Sequence, residues 1–396
     1  MVKYFYPLVE NPYRKKDLDE AIKVIKSCKL TIGRKTDQFQ KFFSKKIKTK
    51  HSLMVNSGSS ANLLALQCLI NPYRKKRLKK NDEVLISALC WSTSLWPIIQ
   101  SGLKPKFVDI DPVTLNIDLK DLEKKITKNT KAIMLVHVLG NSTNMKKIME
   151  IKKKHNLILI EDTCESLGTK YKNKYLGSFG EFSSFSFYSS HQISSGEGGM
   201  ICCSSNEDYE IIKSLRAHGW SRGLKNEKII AKKNKHLDKR FIFFNSGFNL
   251  RPTDITASIA LSQFKDLDYF IKIRNKNRNK ILKHFKKNHT VNKNYKILSE
   301  NDDVKPSWFG LPIILSKGLN KFKILKKLEK NGIETRPIIS GNFLKQPSIK
   351  KYKLNTKSPM PNANYVNKYG FFIGLPTEEI TQTTVKKLIK NFEKSL

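Results

Sequence analysis

Short apolar runs alternate with stretches of helical spacing through the first half of the chain, and this alternation restricts the fold more than any other feature. Ser52–Val55, Val84–Ala88, Ala132–Val138 and Leu157–Ile160 are short, continuously apolar and read as buried strands. Between them Ser60–Ile70, Asp121–Ile126 and Met145–His155 carry apolar residues at helical spacing. Strand and helix in alternation argue for a mostly parallel sheet with right-handed crossovers. Two further strands are expected at Phe182–Phe187 and Met200–Cys203. The rhythm then changes. Ile255–Phe285 reads as one long helix leading into a smaller α/β unit, with a strand at Phe309–Leu315, a helix at Lys321–Asn331 and a last helix from about Thr381. A chain of 396 residues is long enough for two packed units. The expected division is a large domain over 1–262 and a small C-terminal domain over 263–396.

The formal net charge of +41 would suit a polyanion-binding protein. The basic residues are mostly scattered lysines, however, with short clusters such as Arg74–Arg77 and Lys152–Lys154. Arginine interleaved with aromatics, the pattern that grips single strands, does not occur. A solvated lysine-rich surface is therefore expected, with no nucleic-acid partner. The opening MVKYFYPLVENPYRKK lacks an uninterrupted apolar core, and no run is long enough to span a bilayer. Six cysteines without CxxC spacing suit neither a disulfide framework nor zinc. A cytoplasmic protein without membrane attachment is expected.

Three segments carry chemistry. NSGSSANLLAL at Asn56–Leu66 follows a strand and opens a helix, so its small residues leave backbone N–H groups open to an anion; a serine-rich helix cap with no ligand fits the same residues. LILIEDTCESLG at Leu157–Gly168 ends a buried strand on Asp162. A carboxylate there either meets a ligand at the strand ends of an open sheet or caps a following helix. The third segment is GSFGEFSSFSFYSSHQISSGEGGM, ending at Met200.

That third run resembles the cofactor segment of the DegT/DnrJ/EryC1/StrS family, fold-type-I pyridoxal phosphate (PLP) enzymes that act on nucleotide sugars. The order of the other motifs is similar too: TIG at Thr31–Gly33, the NSGSSAN turn, the Trp91 loop, FVDIDPVTLNID, the EDTCES strand end, GFNLRPTD at Gly247–Asp254 and a late WFG. The resemblance spans essentially the whole chain. It implies an aspartate-aminotransferase-like α/β fold with a large mostly parallel mixed sheet and a smaller C-terminal α/β domain. It further implies cofactor contacts from Gly58, Ser59, Ser60, Trp91, Asp162, Glu165, Ser186 and Asn249. Asn249 would reach the phosphate of a neighbouring subunit, so a homodimer is expected. Thr31, His218, Arg222, Arg251 and Arg336 match the substrate and glutamate region.

In the family's aminotransferases a lysine lies six residues before the glutamate of EGG. Here the count back from Glu197 falls on His191. Imidazole moves protons near neutrality but cannot form the lysine's Schiff base. Within the family, histidine at this place resembles 3-dehydratases that use the amine form of the cofactor, pyridoxamine phosphate (PMP). They remove the 3-hydroxyl of a nucleotide-linked 4-keto-6-deoxyhexose, and glutamate regenerates PMP. One kind carries a [2Fe–2S] cluster on closely spaced cysteines after the cofactor segment; four thiolates are needed. RAHGWSRGLKNEKIIAKKNKHLDKRF contains no cysteine, so no iron–sulfur cluster and no metal are expected. CWSTSLWP and RAHGWSR look closer to the cluster-free kind, which takes a GDP-linked 4-keto-6-deoxymannose in making O-antigen deoxysugars. Two other classes stay open: an aminotransferase using another lysine, and a non-catalytic polyanion-binding protein on the same fold.

Overall fold

The computed structural model describes residues 4–355 and 358–396. Seven strands build the large sheet: β1 (His51–Val55), β2 (Glu83–Ser87), β3 (Lys104–Val108), β4 (Thr130–Val136), β5 (Ile158–Asp162), β6 (Phe182–Ser186) and β7 (Gly199–Cys203). Their order is β1-β7-β6-β5-β4-β2-β3, with β7 antiparallel to both neighbours and every other pair parallel. Central strands such as β4, β5 and β6 are buried nearly throughout, as expected when helices cover both faces. The expected strands therefore stand, with ends shifted by one or two residues. Strand β3 carried no recognisable signal because its sequence is KPKFV, with Pro105 among lysines. It lies at the sheet edge, where a missing N–H and charged side chains are tolerated.

A second, four-stranded antiparallel sheet comprises β8 (Tyr295–Ile297), β9 (Gly310–Leu315), β10 (Thr335–Arg336) and β11 (Gly370–Gly374), ordered β8-β9-β11-β10. Two capping contacts fasten it to the rest. The Tyr6 hydroxyl donates to the Gly374 carbonyl (3.1 Å), while Tyr6 bridges Ile333. The Asp109 carboxylate, just beyond β3, accepts from the N–H groups of Asn362 (2.9 Å) and Ala363 (2.8 Å) at the start of the helix Pro361–Tyr369. Negative charge at a helix N-terminus satisfies donors that have no intrahelical partner.

The long helix expected over Ile255–Phe285 is two helices, Asp254–Lys265 and Leu267–Lys287. They break at Asp266, whose carboxylate is held by Arg14 (2.8 Å) and Lys16 (2.6 Å) from the N-terminal segment. Periodicity continues across the break, which is why the sequence did not reveal it. Among the described residues, no helix is long and apolar enough to cross a membrane.

Asp254 explains why the TIG and PTD motifs occur together. Its buried carboxylate accepts the backbone N–H groups of Gly33 (3.0 Å), Lys35 (3.0 Å) and Thr36 (2.9 Å) and the Thr36 hydroxyl (2.6 Å). It thus caps Arg34–Ile47, a helix that has no cap side chain of its own. Replacing Asp254 with Ala is expected to lower stability by roughly 1.5–3 kcal/mol, the worth of hydrogen bonds to a charged group. A denaturant midpoint unchanged in this variant would refute the role.

Candidate active site

A cavity of about 500 Å³ opens over the carboxyl ends of β1, β4, β5 and β6, and residues of the second sheet close its other side. This is where open α/β sheets bind ligands. At its floor, Ser57 accepts the Ser60 N–H (3.1 Å) and starts the helix Gly58–Leu69. The N–H groups of a first helical turn lack intrahelical acceptors and favour an anion. Gly58 is required here: a Cβ would come within 2.7 Å of Ser186 Cβ and 2.8 Å of Cys164 Sγ. Ser59 faces the cavity and shares a 2.7 Å hydrogen bond with the Thr93 hydroxyl. Ser60 does not line it; its hydroxyl donates to Asn56 Oδ1 (2.6 Å) inside the turn. Of the two adjacent serines, only Ser59 is presented to a ligand.

Asp162 is the last residue of β5 and is 5% exposed. Its Oδ2 accepts from Asn62 Nδ2 (2.8 Å) and Ser94 Oγ (2.7 Å), and its Oδ1 from the Cys164 N–H (3.2 Å). No cation pairs with it among the described residues, so a charged carboxylate faces the cavity, ready for a cationic N–H such as a protonated ring nitrogen. The alternative role as a helix cap fails, because turns and no helix follow it. Its neighbour Glu161 points to the opposite face and binds the N–H groups of Gly177, Phe179 and Gly180 at 2.7–2.8 Å.

His191 lies on the loop between β6 and β7, its N–H bonded to the Tyr188 carbonyl (2.9 Å). Its ring packs against Phe309 at 5.1 Å and Tyr188 at 6.3 Å, and its Nδ1 is buried with no protein partner. Burial, with a contribution from the Arg274 guanidinium, pushes its pKa down to about 3, so the ring is a neutral imidazole at physiological pH. Removal from water raises Glu165 to about 7; the Leu139 N–H opposes this and the Asp162 charge adds to it. Trp91, 56% exposed, stands at the mouth, and Ser186 and Arg336 complete the lining. Arg336 pairs with Glu334 at 2.7 Å. Among the described residues, no lysine lines the cavity. Lys170 and Lys174 lie instead over the rings of Tyr175 (4.5 Å) and Phe179 (4.2 Å) on a small hairpin.

The remaining expected residues lie outside this cavity. Arg251 donates to Asn249 Oδ1 (3.0 Å) and sits over Trp220 at 5.5 Å, with His218 packed on the same indole at 4.7 Å. The Leu250 carbonyl accepts the Asn56 N–H (3.1 Å), so this cluster adjoins the anion-cradling turn from outside. Thr31 and Arg222 are exposed on the surface. Sequence reasoning missed Asn62, Ser94 and Thr93. An asparagine among the apolar residues of NLLAL was the available signal for Asn62.

The DegT/DnrJ/EryC1/StrS aminotransferase family matches residues 12–393. The chain belongs to that family. It is 38% identical to GDP-4-keto-6-deoxy-D-mannose 3-dehydratase of Escherichia coli O55:H7, covering 93% of this chain and 95% of that one. The fold matches that of the E. coli 3-dehydratase solved with hydrated PLP, with a TM-score of 0.91, 36% identity, and coverage of 98% and 100%. It also matches a structure of GDP-4-keto-6-deoxymannose 3-dehydratase holding a trapped PLP–glutamate geminal diamine, with a TM-score of 0.90, 36% identity and the same coverage.

The raised pKa of Glu165 gives a test of this environment in the cofactor-free protein. A carboxyl near 7 when folded and near 4.5 when unfolded binds an extra proton in the folded state between those values. Its stabilising contribution is full below about 4.5 and is lost as pH rises through about 7. Replacing Glu165 with Gln should flatten the fall in stability over that window, measured by denaturant titration at a series of pH values. An unchanged slope would contradict the assignment.

Proposed function

We propose that this protein is a PMP/PLP-dependent 3-dehydratase of a nucleotide-linked 4-keto-6-deoxyhexose, with GDP-4-keto-6-deoxymannose as the substrate and glutamate as the amino donor. One observation carries the reading: Gly58, Ser59, Asp162 and Ser186 line one cavity with His191, which stands where the family's lysine stands, and among the described residues no lysine replaces it there. This disfavours an aminotransferase, which needs that amine to hold and exchange its cofactor. The similar 3-dehydratases, one with bound PLP and one with a PLP–glutamate adduct, support the same choice.

The cavity suits the cofactor. The N–H groups at the start of Gly58–Leu69, with Ser59, would hold its phosphate, and the space that a Gly58 side chain would fill stays open. Asp162 would hold the ring nitrogen protonated, Trp91 would flank the ring, and Glu165 and Ser186 would complete the polar wall. Once bound, PMP supplies an amine for the sugar's 4-keto group and a ring that accepts an electron pair. The protein's own part is proton movement and exclusion of water. His191, neutral and without a partner at Nδ1 among the described residues, would serve as the proton acceptor beside the bound cofactor. The same imidazole, then protonated, is placed to give that proton to the departing 3-hydroxyl as water. Glutamate supplies the two electrons: sugar plus glutamate yields the 4-keto-3,6-dideoxy sugar, 2-oxoglutarate and ammonia. Arg336 is the cation available in the cavity for a carboxylate or diphosphate.

The same reading includes a homodimer in the cytoplasm, divided into a cofactor domain over 1–262 and a small domain over 263–396. Asn249 would reach the phosphate of the neighbouring subunit, and His218, Arg222, Arg251 and Thr31 would serve the substrate and glutamate region. The six cysteines are free, and no group of three or more metal-ligating side chains occurs among the described residues. Replacing His191 with Asn should preserve cofactor binding and cut turnover by about 10²–10⁴-fold, the usual worth of general acid–base help. Product mass after incubation with GDP-4-keto-6-deoxymannose and glutamate measures this. Native-rate dehydration by the Asn variant would remove His191 from the mechanism.

A further inference from the structure

Nδ1 of the buried His191 imidazole has no hydrogen-bond partner among the described residues, so the ring is fixed by what packs around it. Arg274, on the helix Leu267–Lys287, is 6% exposed and has no acidic partner within salt-bridge distance among the described residues. Its two terminal nitrogens donate to the main-chain carbonyls of His191 and Trp308, both at 3.3 Å, and its Nε has no partner. Trp308 leads directly into Phe309, whose ring lies against the His191 imidazole at 5.1 Å. One turn along the same helix, Arg278 covers the Trp308 ring at 4.5 Å and donates to the Leu298 carbonyl at 2.9 Å. The neighbouring Gln192 bonds the Ser307 carbonyl (3.0 Å) and that of Glu165. A buried, unpaired guanidinium is costly, and here it joins only two segments: the loop bearing His191 and the segment that supplies the ring packed against it.

We propose that Arg274 is a positioning residue for the dehydration, holding the His191 loop and the Trp308–Phe309 segment together so that the imidazole is fixed between protein and ligand. It acts through the two carbonyls, and as a buried cation it also opposes protonation of the ring. The proposal rests on His191 as the proton carrier. The other charged groups facing this cavity are Asp162, Glu165, Glu197 and Arg336.

The test uses the full-length holoenzyme with GDP-4-keto-6-deoxymannose and glutamate. Replacing Arg274 with Gln is expected to lower kcat by about 10–100-fold, as for a small misplacement of a catalytic group, with KM and cofactor occupancy within about twofold. Arg274→Lys, which keeps the charge but cannot span both carbonyls, should recover folding while staying impaired in kcat. In a His191→Asn background, Arg274→Lys should cost nothing further. An additive loss there, or a native kcat in both single variants, overturns the proposal. Full activity of His191→Asn alone would instead overturn the underlying reading, so the two failures are distinct. In cofactor-free protein, the His191 ring resonance should begin to titrate at higher pH in Arg274→Gln than in the native chain. A resonance that does not move, with kcat lost only through unfolding, assigns Arg274 a merely structural role and also overturns the proposal.

Discussion

The site is organised around a buried carboxylate that has no cation of its own. Asp162 sits at the end of the central strand β5 and accepts hydrogen bonds from Asn62 and Ser94. Those two donors come from the helices that follow β1 and β2. The carboxylate therefore fixes two helices relative to the sheet and leaves negative charge facing the cavity. Charge removed from water is tolerated when hydrogen bonds satisfy it. The arrangement stores an electrostatic demand that a protonated ring nitrogen would meet. Gly58 and Asn62 lie in the same helix, so in the proposed reading one rigid element would meet both the phosphate and the ring of the cofactor.

The fold was largely legible because burial dictates it. Parallel strands covered on both faces must be apolar throughout, and β1, β2, β4 and β5 announced themselves that way. Strand β3 escaped because an edge strand is free of that demand, and the break at Asp266 escaped because it is made by Arg14 and Lys16, far away in sequence. The site divided along similar lines. Gly58, Asp162 and His191 sit in local segments whose composition points to ligand chemistry. The donors that make Asp162 useful, and the rings that hold His191, are brought in by tertiary packing and carry only faint local signals. Ser60 shows the limit of adjacency: next to Ser59, it nevertheless turns inward to Asn56. Asn249, His218 and Arg251 cluster outside the cavity, on the far side of the Asn56 turn.

The two sheets meet at the catalytic loop, and this ties stability to chemistry. The His191 ring touches Phe309, which precedes β9, and Phe309 in turn packs on Phe372 of β11. The Phe309 N–H bonds the Leu139 carbonyl, while the Leu139 N–H bonds Glu165. A shift of the second sheet relative to the first would therefore move His191 and Glu165 together. Packed interiors transmit such displacements because they are not readily compressible.

The charge of the chain sharpens the significance of the histidine. With 75 lysines and arginines against 34 acidic residues, amines crowd the surface. Any flexible amine within reach of an aldehyde cofactor would compete to form a Schiff base with it. Among the described residues the cavity holds none of them: its basic lining residues are His137, His191 and Arg336, none of which offers such an amine. Lys170 and Lys174, close to the site in sequence, are turned onto aromatic rings of a separate hairpin. With His191 in place of the lysine and no other lysine among the described lining residues, the proposed reading leaves the cofactor to be held without a covalent bond, by the helix N-terminus, Asp162 and Trp91. Such a hold would leave the amine form free to meet a carbonyl substrate, with the imidazole of His191 to carry the proton.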